Sequence, residues 1–292
     1  MTTQALAAPA PRLGHDTVPL PRLFAAELRW IFRRPRTLAV LGLLALIPIV
    51  IGVGLTLVNQ SDVSSGPTDS GAALVGAAVN NALVLPIAAM VMTLTLLLPL
   101  ASAMAGADAI AGEAAHGTLR GWLIAPVSRG RLLAVKAFGV ATVSVVAVLA
   151  MCVTGVVTGL VINGTGGLFT LSGTTLSLVD ALGRILLAAA WIVLQLWAVG
   201  AVALAVSSFT EHPMLVVASV LAGNIVFTIL GFLTSLNWLH PFLLTQNWTL
   251  APAEVLQDPM SSTMLGEGAL RAVCYMVVGL SIAYARLTTR DG

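Results

Sequence analysis

Residues 37–58 read TLAVLGLLALIPIVIGVGLTLV and contain no Asp, Glu, Lys or Arg. An α-helix rises about 1.5 Å per residue, so roughly 20 apolar residues cross a hydrocarbon layer that is about 30 Å thick. Other stretches are similarly apolar and carry ionisable side chains only near their ends, namely residues 83–107, 137–162, 182–208, 213–233 and 269–287. The sequence therefore predicts an all-α membrane protein with six transmembrane helices.

The composition supports this fold class. Hydrophobic residues make up 58% of the 292 residues and charged residues 9%, whereas soluble domains have about 45–50% and 25%. A single core cannot bury that much apolar surface, so lipid must cover it. The net charge of +2 is too small to indicate nucleic-acid binding, and Cys152 and Cys274 match no disulfide or metal-ligand spacing.

Basic residues lie mainly on one side of the predicted spans. That side carries Arg12, Arg22, Arg29, Arg33, Arg34, Arg36, Arg120, Arg129, Arg131, Lys136, Arg286 and Arg290. The other side has only Arg184 and Arg271, near span ends where they can snorkel to the headgroups. Because basic residues stay in the cytoplasm, we expect both termini to be cytoplasmic. The Arg, Ala and Gly bias indicates a bacterial protein, so the predicted location is the bacterial cytoplasmic membrane.

The region before the first span has two parts. Residues 1–18 are rich in Ala, Pro and Thr and are predicted to be a disordered tail. Residues 19–36 form a predicted amphipathic helix, whose apolar face includes Phe24 and Leu28 and whose basic face includes Arg29 and Arg33. Such a helix lies flat in the membrane interface. A simple basic flank that orients the first span is a compatible alternative. Residues 19–290 are predicted to form one transmembrane domain.

A long outer segment, residues 234–268, separates the last two spans. It carries Trp238, Phe242 and Trp248, which are aromatic residues suited to the membrane interface. We expect short interfacial or re-entrant helices within it, near His240-Pro241 and at 251–257.

The polar residues within the spans are uncharged. Thr93, Thr95, Gln195 and Asn224 are candidates to line a transport path, although hydrogen bonding between helices is the alternative role. Ion-driven carriers usually place ionisable side chains at this depth, so their absence disfavours an ion-coupled carrier or channel.

The sequence also lacks the means to hydrolyse ATP. A Walker A loop needs Gly-Lys-Ser/Thr, but Lys136, the one lysine, follows Val135 and precedes Ala137. We predict no catalytic residue, bound cofactor or metal in this sequence. ATP and Mg would bind to a partner subunit.

The segment 112–131 is the predicted coupling segment. A short amphipathic run lies between Gly117 and Pro126, and Ser128 is placed to cap the following helix. Its predicted coupling residues are Glu113, Gly117, Thr118, Leu119, Arg120, Trp122, Leu123, Pro126, Ser128 and Arg129. A solvated basic loop that only sets orientation is the alternative interpretation.

The segment 113–136 resembles the corresponding segment of permeases of the type-2 ABC transporter family. The resemblance rests on an acid, Glu113, followed by Gly-Thr-Leu at 117–119, Pro-Val-Ser-Arg at 126–129 and a lysine, Lys136. The patch AVSSFTEHP at 205–213, between spans four and five, is also similar to that family. The resemblance covers residues 19–290. It implies a second permease copy or homologue, an ABC-type ATPase that grips the coupling segment, and export of a drug-like, antibiotic or lipid amphiphile.

Two further expectations remain open. Gly155-x-x-x-Gly159 and Ala218-x-x-x-Ala222 have the spacing of close helix contacts and are candidates for the surface between permease copies. The alternative function is a six-span scaffold or assembly factor that recruits partners without transport. The sequence identifies neither the substrate nor whether the dimer contains one kind of subunit or two.

Overall fold

The structure, a computed structural model, describes residues 19–57, 74, 77–78, 81–82, 84–115, 128–164, 170 and 175–289. This part of the chain is helical. Its helices are α1 (Leu20–Phe32), α2 (Pro35–Leu57), α3 (Val84–Leu94), α4 (Leu97–Ala107), α5 (Glu113–Ala115), α6 (Arg129–Asn163), α7 (Leu178–Ser207), α8 (Pro213–Phe232), α9 (Ala251–Glu254) and α10 (Thr263–Thr289). The π-helical segment Asp108–Gly112 joins α4 to α5.

By length and composition, α2, α6, α7, α8 and α10 can each cross a membrane. A sixth span is available if α3 is counted with Leu97–Ala115, from which it is bent by 56°. The prediction of an all-α protein with several membrane spans is therefore confirmed. Two helices are longer than the predicted spans. The helix α6 begins at Arg129, directly after the predicted cap Ser128 and before the predicted span 137–162, and α10 extends over Thr263–Thr289 rather than 269–287.

The sequence predicted one continuous helix over 83–107, but the structure breaks it between α3 and α4. Pro99 explains the break, because proline has no N–H to donate and its ring clashes with the carbonyl group four residues earlier. That carbonyl group belongs to Thr95, which lies in the turn between the helices. The side-chain amide of Asn224 on α8 donates to the Thr95 carbonyl oxygen at 2.9 Å. A backbone acceptor freed by Pro99 is thus satisfied by the neighbouring helix.

Small residues bring the helices close together around α7, the most buried of the long helices. A Cβ atom at Gly106 of α4 would lie 2.6 Å from the Cβ atom of Ala203 on α7. A Cβ atom at Gly279 of α10 would lie 2.8 Å from the main chain of Ala201. Such close approach maximises van der Waals contact between helices in a membrane. The bundle is therefore assembled on glycine and alanine contacts.

The two small-residue motifs have different surroundings. A Cβ atom at Gly155 would lie 2.8 Å from Pro86, and one at Gly159 would lie 2.6 Å from the carbonyl oxygen of Ala82. Gly155 and Gly159 therefore pack against residues of the same chain. Their prediction as part of the surface between permease copies was wrong. Ala218 and Ala222 lie on an exposed face of α8. They remain candidates for that surface.

The long segment before α10 is fixed to one end of the bundle. Arg184 and Arg271 donate to main-chain carbonyl oxygens within residues 243–257 at 2.7–3.3 Å. Trp248 donates to the side-chain oxygen of Gln195 at 3.2 Å. The two arginines thus hold this segment against the helices, whereas the sequence had suggested only that they snorkel to lipid headgroups. Short helices lie within it at His240–Phe242 and Ala251–Glu254.

Candidate functional site: a charged junction at the α1 end of the bundle

The opposite end of the bundle, here called the α1 end, contains a buried ion-pair cluster. The side chain of Lys136, on α6, is only 1% exposed. Its Nζ atom lies 3.1 and 3.0 Å from the two carboxylate oxygens of Glu27, on α1. It also forms an ion pair with Glu113, the first residue of α5. The Lys136 cluster, defined as Glu27, Glu113 and Lys136, therefore joins three separate helices.

The helix α1 reaches this lysine because it packs closely on α6. The rings of Phe24 and Phe138 lie 4.5 Å apart between centroids. A Cβ atom at Gly139 would lie 2.7 Å from the side chain of Ile31. Glu27 follows Phe24 by three residues and precedes Ile31 by four, so it lies on the same helix face as both. The packing of the apolar face of α1 on α6 therefore places the carboxylate of Glu27 beside Lys136.

Burial makes the Lys136 cluster sensitive to the loss of a member. Removing a charge from water is costly, and a buried ion pair only offsets that cost when both partners are present. Loss of one partner from such a pair typically costs about 3–5 kcal/mol. The cluster therefore fixes α1 against α5 and α6.

A second cluster lies beside the first. Asp108, the first residue of the π-helical segment, accepts from Arg36 at 2.8 and 2.9 Å and lies 3.2 Å from Arg34. The Arg34 guanidinium is stacked 3.2 Å from the centroid of the Trp30 ring, which adds a cation–π attraction. Burial lowers the pKa of Arg34, an effect that Asp108 opposes and Arg36 adds to. The Asp108 cluster, defined as Arg34, Arg36 and Asp108, connects the α1–α2 corner to the π-helical segment.

Ser207, the last residue of α7, explains why the chain becomes π-helical at this point. Its hydroxyl accepts from the N–H of Ala111 at 2.8 Å and donates to the carbonyl oxygen of Ala107 at 3.3 Å. In an α-helix, those two backbone groups would bond to each other. Insertion of a side chain into the hydrogen-bond ladder widens the turn. Ser207 therefore holds the segment that leads directly into Glu113.

The structure describes three of the predicted coupling residues. Glu113 is buried in the Lys136 cluster. Ser128 accepts from the N–H of Arg131 at 3.4 Å, so its predicted capping role is confirmed. Arg129 begins α6 and is half-buried. The other predicted residues, Gly117, Thr118, Leu119, Arg120, Trp122, Leu123 and Pro126, lie outside the described residues.

The apolar and basic residues predicted for the interfacial helix differ in their exposure. Phe24 and Leu28 are half-buried, whereas Arg29 and Arg33 are exposed. The helix ends at Phe32, and Pro35 begins the next helix. Proline suits a first helical position because it has no N–H to leave unsatisfied there.

The candidate path-lining residues do not form one group. Thr93 is buried and donates to the carbonyl oxygen of Ala89 at 2.9 Å, while Thr95 is exposed. Gln195 is fully buried and donates to the carbonyl oxygen of Gly268 at 3.1 Å. Asn224, as described above, satisfies the carbonyl group at the break. In this structure Thr93, Gln195 and Asn224 bond to other protein groups, and a path-lining role for the four residues stays a prediction.

Sequence reasoning gave no role to Glu27 or Asp108, and it noted Ser207 only as part of the patch AVSSFTEHP at 205–213. Glu27 had a visible signal, because it is an acid on the apolar face of an amphipathic helix in a chain with one lysine. The contacts of Asp108 and Ser207 depend on how distant helices meet and leave no periodic pattern.

The described side chains of the junction form ion pairs that position helices. Within the described ranges, no three His, Cys, Asp or Glu side chains are grouped closely enough to hold a metal ion. The buried charges are used to join α1, α5 and α6 at the base of the predicted coupling segment.

A multi-span helical bundle with such a junction defines a polytopic membrane protein. Residues 22–291 match the family model described as ABC-2 family transporter protein, and the chain belongs to that family. Members of this family form the membrane channel component of an ABC transporter, not its catalytic part, and the family implies an ABC ATPase as partner. No curated protein matches this sequence.

Proposed function

We propose that this chain is the transmembrane subunit of an ATP-driven exporter in the bacterial cytoplasmic membrane. Two permease subunits, identical or related, work with separate ATPase subunits that bind ATP and Mg. The charged junction faces the cytoplasm in this proposal, as do both termini. The substrate is a drug-like, antibiotic or lipid amphiphile. The charge bias of the sequence supports the orientation, and the family supports the ATPase partner.

The observation that carries the proposal is the position of Glu113. This residue is at once a member of the buried Lys136 cluster and the first residue of α5, after which the coupling segment continues. A force applied by an ATPase to residues 116–127 therefore acts on a chain that is joined by charge to α1 and α6. Ion-pair networks that join rigid helices are one means by which coupling is carried between distant sites.

Disruption of the coupling segment is expected to separate ATP hydrolysis from transport. Leu123→Pro should reduce substrate transport per ATP hydrolysed at least about tenfold, because proline breaks short helices. The measurement is ATPase activity and substrate accumulation in vesicles that contain the permease and its ATPase. Leu123→Ala is the matched control and should retain most of the coupling. Unimpaired transport by the Leu123→Pro variant would refute the coupling role.

Cysteine labelling tests the orientation. In a Cys152→Ala, Cys274→Ala background, Ser128→Cys should react with a membrane-impermeant maleimide only after the membrane is opened, and Ser65→Cys should react in intact cells. The background is needed because Cys274 is exposed. The reverse pattern would place the charged junction outside and overturn the proposed docking face.

A further inference from the structure

A cavity of about 230 Å³ lies on the flank of the bundle, between α6, α7 and α10. Both α6 and α10 pack on α7, and the cavity is the space that they leave between them. Phe138 of α6 forms part of its wall and is 40% exposed. The cavity is therefore a groove at the surface of the bundle, not an enclosed hole in its core.

Small residues account for the space in this groove. Gly200 and Ala201 line it on α7, and Ala137 and Ala141 line it on α6. None of these four side chains is larger than a methyl group, so the packing of the helices leaves the space unfilled. The described residues that line the groove carry no charged side chain. Cavities of this composition take up apolar molecules and not water.

Trp197 closes the end of the groove that is further from the α1 end of the bundle. Its indole N–H donates to the carbonyl oxygen of Ala141 at 3.1 Å, so the ring is fixed across the gap between α7 and α6. The other residues of α7 that line the groove follow Trp197 and extend to Leu204, three residues before the end of that helix. At 1.5 Å per residue, the groove is about 10 Å long.

Tyr284 of α10 limits the groove on the side of the α1 end. A Cβ atom at Gly130 of α6 would lie 3.5 Å from the Tyr284 ring, so the two helices meet there. Tyr284 follows Leu280 of the groove by four residues, a spacing that keeps both on one face of α10. A ligand therefore enters from the side. Because α6, α7 and α10 can each cross a membrane, lipid is what lies on that side.

The volume of the groove suits a single hydrocarbon chain. An apolar cavity of about 150 Å³ binds one benzene molecule in another protein. On that scale, a volume of about 230 Å³ accommodates about nine carbon atoms. A helix of another subunit does not fit, because its diameter with side chains is about 10–12 Å.

We propose that this groove holds part of one acyl chain of a membrane lipid, from the leaflet at the α1 end. The chain lies between α6 and α10 and contacts the Trp197 ring, while the headgroup stays outside the groove. It provides the packing partner that Ala137 and Ala141 lack, and it connects α6 to α10. The inference rests on the membrane location of these helices and not on an ATPase partner, a substrate or a direction of transport.

Photocrosslinking in liposomes tests this proposal. The full-length protein is reconstituted in phosphatidylcholine that contains a small proportion of phosphatidylcholine with a diazirine in one acyl chain. After illumination, mass spectrometry of peptides locates the adducts. Adducts at Met276, which lines the groove, should be at least about fivefold more frequent than at Ile282, because a chain in the groove contacts protein on several sides. Ile282 lies outside the groove on the same helix and is exposed.

Variants that fill the groove provide the control. Ala141→Leu should reduce the adducts at Met276 at least about fivefold, because the added side chain occupies the space of the lipid chain. Ala137→Leu fills the same wall nearer the α1 end and should have a similar effect. Ala190→Leu, at an exposed position of α7 outside the groove, should change the adducts less than about twofold. Size-exclusion chromatography checks that each variant is folded.

Three results would overturn the inference. Adducts in proportion to side-chain exposure would show that the groove holds no chain in preference to bulk lipid. Unchanged adducts at Met276 in both Ala141→Leu and Ala137→Leu would show that the labelled chain lies elsewhere. Adducts at Ile282 without adducts at Met276 would show that another group occupies the groove. None of these results affects co-purification of an ATPase, so failure of the lipid site and failure of the proposed function are distinguishable.

Discussion

Replacing Lys136 with methionine is expected to lower the free energy of unfolding by about 3–5 kcal/mol. Methionine preserves most of the side-chain volume, so the loss comes from the charge and not from a cavity. The substitution leaves the carboxyl groups of Glu27 and Glu113 buried without the ammonium group that now pairs with both. The measurement is thermal unfolding of the purified protein in detergent, where the midpoint should fall by several degrees. Arg22→Met, which removes an exposed cation from α1, should have little effect.

A triple variant separates stability from function. Lys136→Met with Glu27→Leu and Glu113→Leu removes every charge of the Lys136 cluster. Apolar replacement of a complete buried ion cluster is often neutral or stabilising, so this variant should unfold at or above the wild-type temperature. If it is stable and still couples ATP hydrolysis to transport, the charges serve folding alone. Coupling that is lost in a stable triple variant would show that the ion pairs themselves transmit motion.

Replacing Gly155 with leucine is expected to cause the second largest decrease in the free energy of unfolding. A Cβ atom at this position would lie 2.8 Å from both Cα and Cβ of Pro86. Because Pro86 belongs to α3, Gly155→Leu must push α3 away from α6 or distort both helices. Overpacking of this kind costs about 1–3 kcal/mol and sometimes more. We expect a lower unfolding temperature and a larger aggregated fraction in size-exclusion chromatography.

Gly42 provides the matched control for that substitution. It lies on the exposed side of α2, and a Cβ atom there would meet nothing within 4 Å. Leucine forms helices better than glycine does, so Gly42→Leu should be neutral or slightly stabilising. If Gly155→Leu is tolerated as well as Gly42→Leu, the close contact between α3 and α6 does not limit stability.

The helical spans were predictable because the bilayer sets the length of an apolar run. Residues 37–58 and 213–233, for example, correspond closely to α2 and α8. The hydropathy of a segment does not show which groups form hydrogen bonds with its backbone, so the break at Thr95 was missed. Pro99 is visible in the sequence, but many prolines are tolerated in membrane helices. Only the position of Asn224 beside the freed carbonyl group shows why the break is stable here.

The charged junction was only half predictable. Glu113 and Lys136 were recognised through a motif, yet the motif gave no indication that they form an ion pair with each other and with Glu27. Arg184 and Arg271 were placed near span ends, but their bonds to distant carbonyl oxygens depend on how a long segment folds back. Local pattern determines helices and their ends, whereas contacts between distant segments require the tertiary structure.

The hydroxyl of Ser207 has a mechanical consequence for the α1 end of the bundle. A π turn contains one residue more than an α turn, and each residue advances an α-helix by about 100°. If α7 withdrew its hydroxyl, the N–H of Ala111 would bond again to the carbonyl oxygen of Ala107. Glu113, two residues after Ala111, would then rotate by about that angle and move away from Lys136. A sliding movement of one helix at its tip would in this way become a rotation of the next.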